Sequence, residues 1–131
     1  MDNFKIMSCN CQGLGNLKKR RDIFQYLREK KCSVYFLQDT HFDVNMEKHI
    51  RSEWGYECYF SSFNSQSRGV GIMFNNNFEF KVNKIIKDEN GNFLIVDITT
   101  LKKHITLINI YGPNRDNPDF NTRLEKKNNR K

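Results

Sequence analysis

The chain has 131 residues, of which 37% are hydrophobic and 28% charged, enough for one domain built on a modest core and too few for two. Its formal net charge is +7, which favours an anionic partner such as nucleic acid. No stretch approaches the roughly 20 apolar residues of a membrane span, and the start MDNFKIMSCN has no basic region followed by a long apolar one. The chain is therefore expected to be intracellular, the nucleus included, and not secreted, with no membrane partner and no small-molecule cofactor.

The charge is clustered. Residues 18–31 hold seven basic and two acidic residues, residues 123–131 hold five and one, and the remainder is slightly acidic. The cysteines Cys9, Cys11, Cys32 and Cys58 lack the paired CxxC spacing of a zinc site and are sparse for a disulfide scaffold, so reduced, mostly buried thiols are expected.

In chain order, residues 4–11 read as a first strand with neither face strongly polar, hence a central one. Gly13 and Gly15 break it, and Asn16 stands where a helix N-cap would, ahead of LKKRRDIFQYLREKK. Leu17, Phe24 and Leu27, with Ile23 beside them, mark an apolar stripe and leave a cationic outer face. Residues 33–38 then suit a buried strand, so the first 38 residues form a β-α-β unit whose two strands run parallel. Asn10 and Asp39 would thus share one edge of the sheet.

Met46, Ile50 and Trp54 at spacings of four predict a second short helix ended by Gly55. From Tyr56 the pattern turns to strands, YECYFSS, GVGIMF, EFKVNKIIK, FLIVDITT and HITLINIY, read as an antiparallel meander with a tight hairpin turn at Asn90-Gly91. The loop GPNRDNP follows, and after it a polar stretch from Asp119 that begins like a helix.

Several residues could carry chemistry. Asp39, closing the apolar run of FLQDTHF, is a good hard-cation ligand, although an Asp in that position is more often a turn cap. Asn10 could orient a water or be only a turn residue before Gly13. Tyr111 could donate a hydrogen bond to a phosphate oxygen or be a core aromatic at the rim, and Asn114 could bond a phosphate or its own turn. Lys18, Lys19, Arg20 and Arg21 are candidate nucleic-acid contacts. His41 follows the Asp39 loop, whereas His49 and His104 fall within predicted elements and read as structural.

NCQGLG at 10–15, the basic helix, FLQDTHF, RGVGIMF, KDENGNFLIV and LINIYGPN occur in the order found in the endonuclease/exonuclease/phosphatase superfamily. The chain resembles, in particular, the apurinic endonuclease-like domain of LINE-type, non-LTR retrotransposons. That resemblance implies an α/β fold, the N-terminal part of a four-layer α/β/β/α sandwich of DNase I type with an incomplete second sheet, and a Mg²⁺-dependent phosphodiesterase site acting on DNA. It implies that Asn10 organises the metal site and the attacking water, that Asp39 takes the place of the family's Mg²⁺-binding glutamate, that Tyr111 lies near the scissile phosphate, and that Asn114 faces DNA.

Two departures accompany it. Aspartate in place of glutamate shortens the reach by one carbon–carbon bond, roughly 1.5 Å, which a Mg²⁺ that keeps several waters can absorb. The family's Asp-x-Asn motif, which follows the next helix and strand, and the aspartate-histidine pair near the domain's end would both fall past Lys131. General-base activation of water contributes about 10² to 10⁴ in rate, so the chain alone is expected to be inactive. The alternatives are a non-catalytic basic nucleic-acid-binding fragment and a degenerate coding remnant.

Overall fold

The computed structural model describes residues 4–112; Asn114 and the basic run at 123–131 lie outside them. Two helices cover one face of a four-stranded sheet, and a three-stranded sheet packs on its other face. In chain order the elements are β1 (Ile6–Asn10), α1 (Leu17–Lys30), β2 (Val34–Gln38), a 3₁₀ turn (Val44–Met46), α2 (Glu47–Trp54), β3 (Cys58–Ser61), β4 (Val70–Phe74), β5 (Lys81–Lys87), β6 (Phe93–Thr100) and β7 (Lys103–Ile110). The strand orders are β1-β2-β4-β3 and β5-β6-β7. No helix among the described residues is long and apolar enough to cross a membrane.

Period-two alternation in the first sheet supplies both of its contacts. Tyr35, Leu37, Cys58, Phe60 and Met73 point toward Phe24 and Leu27 of α1 and Ile50 and Trp54 of α2. Val34, Val70, Ile72 and Phe74, from the same strands, meet Leu94, Val96, Ile98 and Leu107 of the second sheet. A strand apolar on both faces is what a middle layer requires. Trp54 fixes α2 from within, its indole N–H donating to the Phe74 carbonyl at 3.0 Å and its ring meeting Phe24 and Tyr35 edge-on.

The parallel pairing of β1 with β2 is as expected, with Asn10 in register with Gln38. The N-cap is also present: Asn16 Oδ1 accepts from the Lys19 amide at 2.9 Å, and Gly55, at φ 86°, closes α2. Four expectations need correction. Among the described residues β1 is an edge strand rather than a central one, because Ile6, Ser8 and Asn10 face outward while only Met7 and Cys9 pack against the helical layer. Leu17 is exposed, so the α1 stripe is Phe24 and Leu27 with Ile23.

The meander is interrupted, since β4 inserts between β2 and β3 and only β5 to β7 run consecutively. The β5–β6 connection is longer than a two-residue turn. Lys87 pairs with Leu94, and Asp88 spans the loop by accepting from the Gly91 amide through its carbonyl and from the Asn92 amide through Oδ2.

Candidate active site

One edge of the first sheet collects the carboxyl ends of β1 and β2 and the amino end of β4, and the loops there are joined by a relay of backbone hydrogen bonds. Gly13 N–H donates to the Asp39 carbonyl and Leu14 N–H to that of Thr40, each at 2.8 Å. Thr40 and His41 in turn donate to Gly69 and Arg68, at 3.1 and 2.9 Å. Gly69 continues to Gly91 at 3.0 Å, and Tyr111 donates to Asn92 at 2.7 Å. The segments NCQGLG, FLQDTHF, RGVG, DENGN and NIYG thus meet in space as well as recur in order.

Two glycines make that convergence sterically feasible. Gly13 lies at φ 91°, and a Cβ there would stand 2.7 Å from His41 Nδ1; Gly69, at φ 97°, has the Thr40 hydroxyl where a Cβ would go. Both conformations are costly for a residue with a side chain.

Asp39 does not end the strand in extended geometry. It and His41 both adopt left-handed backbone, φ 58° and 59°, so the chain coils tightly and brings their side chains together, His41 Nε2 to Asp39 Oδ1 at 2.7 Å. Both are mostly shielded, with side chains 20% and 23% exposed. The imidazole orients the carboxylate and, packed on Gly13, is itself oriented. Sequence reasoning missed this pairing; its signal was the short Asp-x-His spacing just beyond an apolar strand.

Asn10, in register with the residue preceding Asp39, is exposed, and Tyr111 is half-buried against the inter-sheet core. Among the described residues no group of three His, Cys, Asp or Glu side chains is arranged to hold a metal ion. The donor set is one oriented carboxylate with an amide at the adjoining strand end, which suits a hard cation that retains most of its water better than a metal needing an all-protein cage.

Below this edge a polar bridge joins the two sheets. Asn109, 1% exposed on β7, donates from Nδ2 to the carbonyls of Leu37 at 2.9 Å and Gly71 at 2.7 Å, and its Oδ1 accepts from Gln38 Nε2 at 2.8 Å. Gln38 reaches on to Ser8. A polar residue at the position that continues the inward series Ile105, Leu107 was the sequence signal for this contact.

The basic residues of α1 separate into two kinds. Lys18, paired with Asp22, Lys19 and Arg21 are exposed, and Lys19 Nζ donates to the Gln12 carbonyl at 3.2 Å, tying the helix to the Asn10 loop. Arg20 departs from the expected outer face. It is buried, bidentate to Glu53 at 2.7 and 2.9 Å, and donates from Nη1 to the carbonyls of Leu14 and Gly15. Its role is to hold the NCQGLG loop on the helical layer, and its hydrogen bonds keep the Glu53 carboxyl below the usual range.

The cysteines are all free, with Cys11, Cys32 and Cys58 buried. Cys11 Sγ lies 3.8 Å from Cys9 Sγ. Donation from Cys11 lowers the Cys9 thiol to about 7, with Lys19 assisting against partial burial, and the same contact pushes Cys11 up. His49 and His104 are exposed on α2 and β7.

No protein-family model matches the sequence. The transposon TX1 uncharacterized 149 kDa protein of Xenopus laevis is 27% identical over 108 residues, 82% of this chain and 8% of that protein. Among solved structures, D. rerio TDP2 complexed with a single-strand DNA product superposes with a TM-score of 0.65 at 19% identity, over 93% of this chain and 52% of that one. The endonuclease domain of TRAS1, a telomere-specific non-LTR retrotransposon, gives 0.63 at 14% identity over 98% and 53%. An AP endonuclease from Archaeoglobus fulgidus gives 0.56 at 20% identity over 94% and 48%. The chain therefore spans about half the length of these structures and shares their fold over that half.

Proposed function

We propose, from the DNase I-like fold of the endonuclease/exonuclease/phosphatase superfamily that this chain carries, that it is part of a retrotransposon-type DNA endonuclease domain, and that these 131 residues alone do not catalyse. The observation that supports this best is the backbone relay drawing Asp39, the Asn10 loop and Tyr111 toward one sheet edge. In the complete domain the reaction is hydrolysis of a phosphodiester. Bound Mg²⁺ would supply Lewis-acid stabilisation of charge on the phosphate oxygens.

This chain's own residues would act around that centre. Asp39, fixed by His41, would hold the cation; the Asn10 amide would orient the water; Tyr111 would donate to a phosphate oxygen. Asn114, outside the described residues, would face the DNA. Group-wise catalysis fails when any member is missing, which underlies the expected inactivity of the chain alone.

The test combines supercoiled-plasmid nicking with oligonucleotide binding, each with Mg²⁺ and with EDTA. The expected result is no nicking, but tighter DNA binding with Mg²⁺ in the parent and not in Asp39→Ala. EDTA-sensitive nicking abolished by Asp39→Ala would overturn the claim of inactivity; DNA binding indifferent to Mg²⁺ and to Asp39 would overturn the assignment of the metal.

A second reading, a purely electrostatic nucleic-acid-binding fragment, draws on the exposed Lys18, Lys19 and Arg21 along α1. It requires affinity that falls steeply with salt; binding unchanged between about 50 and 200 mM salt excludes it.

A further inference from the structure

Three arginine–aromatic stacks occur among the described residues, and two of them use rings that are buried, Trp54 under Arg28 and Phe60 under Arg51. The third differs. Phe63, just beyond β3, is 37% exposed, and the Arg68 guanidinium lies 4.5 Å from its ring centroid. Arg68 has no carboxylate partner among the described residues; its side chain makes one long contact, 3.5 Å from Nη1 to the Asn90 carbonyl.

The pair is held in place. Asn64 Oδ1 accepts from the amides of Gln66 and Ser67 at 2.9 and 3.0 Å, bracing the hairpin between the two residues. Gly91, at φ 69°, packs so closely that a Cβ on it would stand 2.9 Å from Phe63 Cβ. Arg68, in left-handed backbone at φ 61°, offers its carbonyl to the His41 amide. The stack is therefore fixed to the turn that carries Asp39.

We infer that Phe63 and Arg68 form one contact unit for a DNA strand at the rim of the site, in which an unpaired base extends the ring–guanidinium stack while the guanidinium edge meets a phosphate. A planar cation already stacked on an aromatic ring keeps a free face for a base and in-plane N–H groups for an anion. The inference rests on the DNA reading of the site. It adds a preference for single-stranded or locally opened DNA over perfect duplex.

The test measures fluorescence anisotropy of the whole chain with a labelled 20-nucleotide strand in EDTA, with its perfect duplex, and with a strand of equal length carrying abasic residues throughout. Stacking on one base is worth about a tenfold change in affinity, so Phe63→Ala should weaken the intact strand about tenfold and leave the base-free strand unchanged. Arg68→Ala should weaken both and flatten the dependence of log affinity on log salt by about 0.7, the value for one phosphate of a single strand. Phe63→Leu, which keeps apolar bulk on the hairpin if Phe63→Ala unfolds, should bind as weakly as Phe63→Ala.

The inference is overturned by recovery of parent affinity in Phe63→Leu, by equal effects of Phe63→Ala on intact and base-free strands, by both alanine variants binding within about twofold of the parent, by duplex binding as tight as single strand, or by a parent chain that binds no DNA. In EDTA no cation is held, so the effects of Phe63→Ala and Arg68→Ala are read without the metal, and failure of the metal assignment and failure of the rim contact give different results.

Discussion

Asn109 is where a single amide holds two layers together. Asn109→Ala removes three hydrogen bonds and leaves the half-buried Gln38 amide and the buried Leu37 and Gly71 carbonyls to find new partners. At about 0.5–1.5 kcal/mol net per bond the loss is about 3 kcal/mol, a large share of the about 5–15 kcal/mol that stabilises an ordinary domain. With a urea m-value of about 1.5 kcal/mol/M, that moves the unfolding midpoint by about 2 M.

Trp54, the one tryptophan of the chain and 2% exposed, makes its fluorescence a direct reporter. Asn109→Asp sharpens the test because it keeps the shape and the acceptor toward Gln38 but sets a carboxylate against two carbonyl oxygens. Burial and those oxygens raise the introduced group's folded pKa above its unfolded value of about 3.9. The folded state then binds more protons, so this variant is most stable below about pH 4 and loses up to about 1.4 kcal/mol per pH unit as pH rises from there toward the folded pKa. If Asn109→Asp is as stable as the parent at pH 7 and its midpoint is flat from pH 4 to 7, the donors of Asn109 do not bind the sheets.

Arg20→Ala should cost about 3 kcal/mol in the same denaturation assay, since it strands Glu53 beside the loop it anchored. Glu53 has a lowered folded pKa, so its contribution is present above its unfolded value of about 4.3 and lost as pH falls through the folded pKa; Glu53→Gln should remove that acid-side loss. Gly13→Ala, at a positive φ with His41 in the way, should destabilise by about 1–3 kcal/mol and move the His41 ring resonances in the NMR spectrum at fixed pH as the contact with Asp39 is disturbed. Cys9 should react with iodoacetamide with a half-maximal rate near pH 7, and Cys11→Ser should move that midpoint as the donor to the thiolate changes; a midpoint at the ordinary thiol value of about 8.5 in the parent would contradict the contact.

Regular elements were legible because their signals are local. The Asn16 cap, the spacing of Ile50 and Trp54, the Gly55 stop and the apolar runs of β2, β4 and β6 each depend on residues a few positions apart. What escaped depends on partners far along the chain. The alternation in β4 cannot say that it inserts between β2 and β3, and an arginine in a basic run looks the same whether it faces solvent or, like Arg20, a glutamate 33 residues away. The ordered motifs singled out segments that do meet at one sheet edge, whereas the geometry at that edge was not legible. The left-handed backbone at both Asp39 and His41 could not be read from FLQDTHF alone, because the room for that tight turn is left by Gly13 and Gly69 in other loops.

The relay of backbone bonds also bears on folding kinetics. Its links each close a stretch of about 20 to 30 residues, so none is rewarded until strands from distant parts of the chain have paired. Helices α1 and α2 can form early from neighbouring residues, but the loop edge can be completed only when both sheets are in place. Assembly of the loop edge is thus a late event in topology, although the Asp39–His41 contact it surrounds spans only two residues.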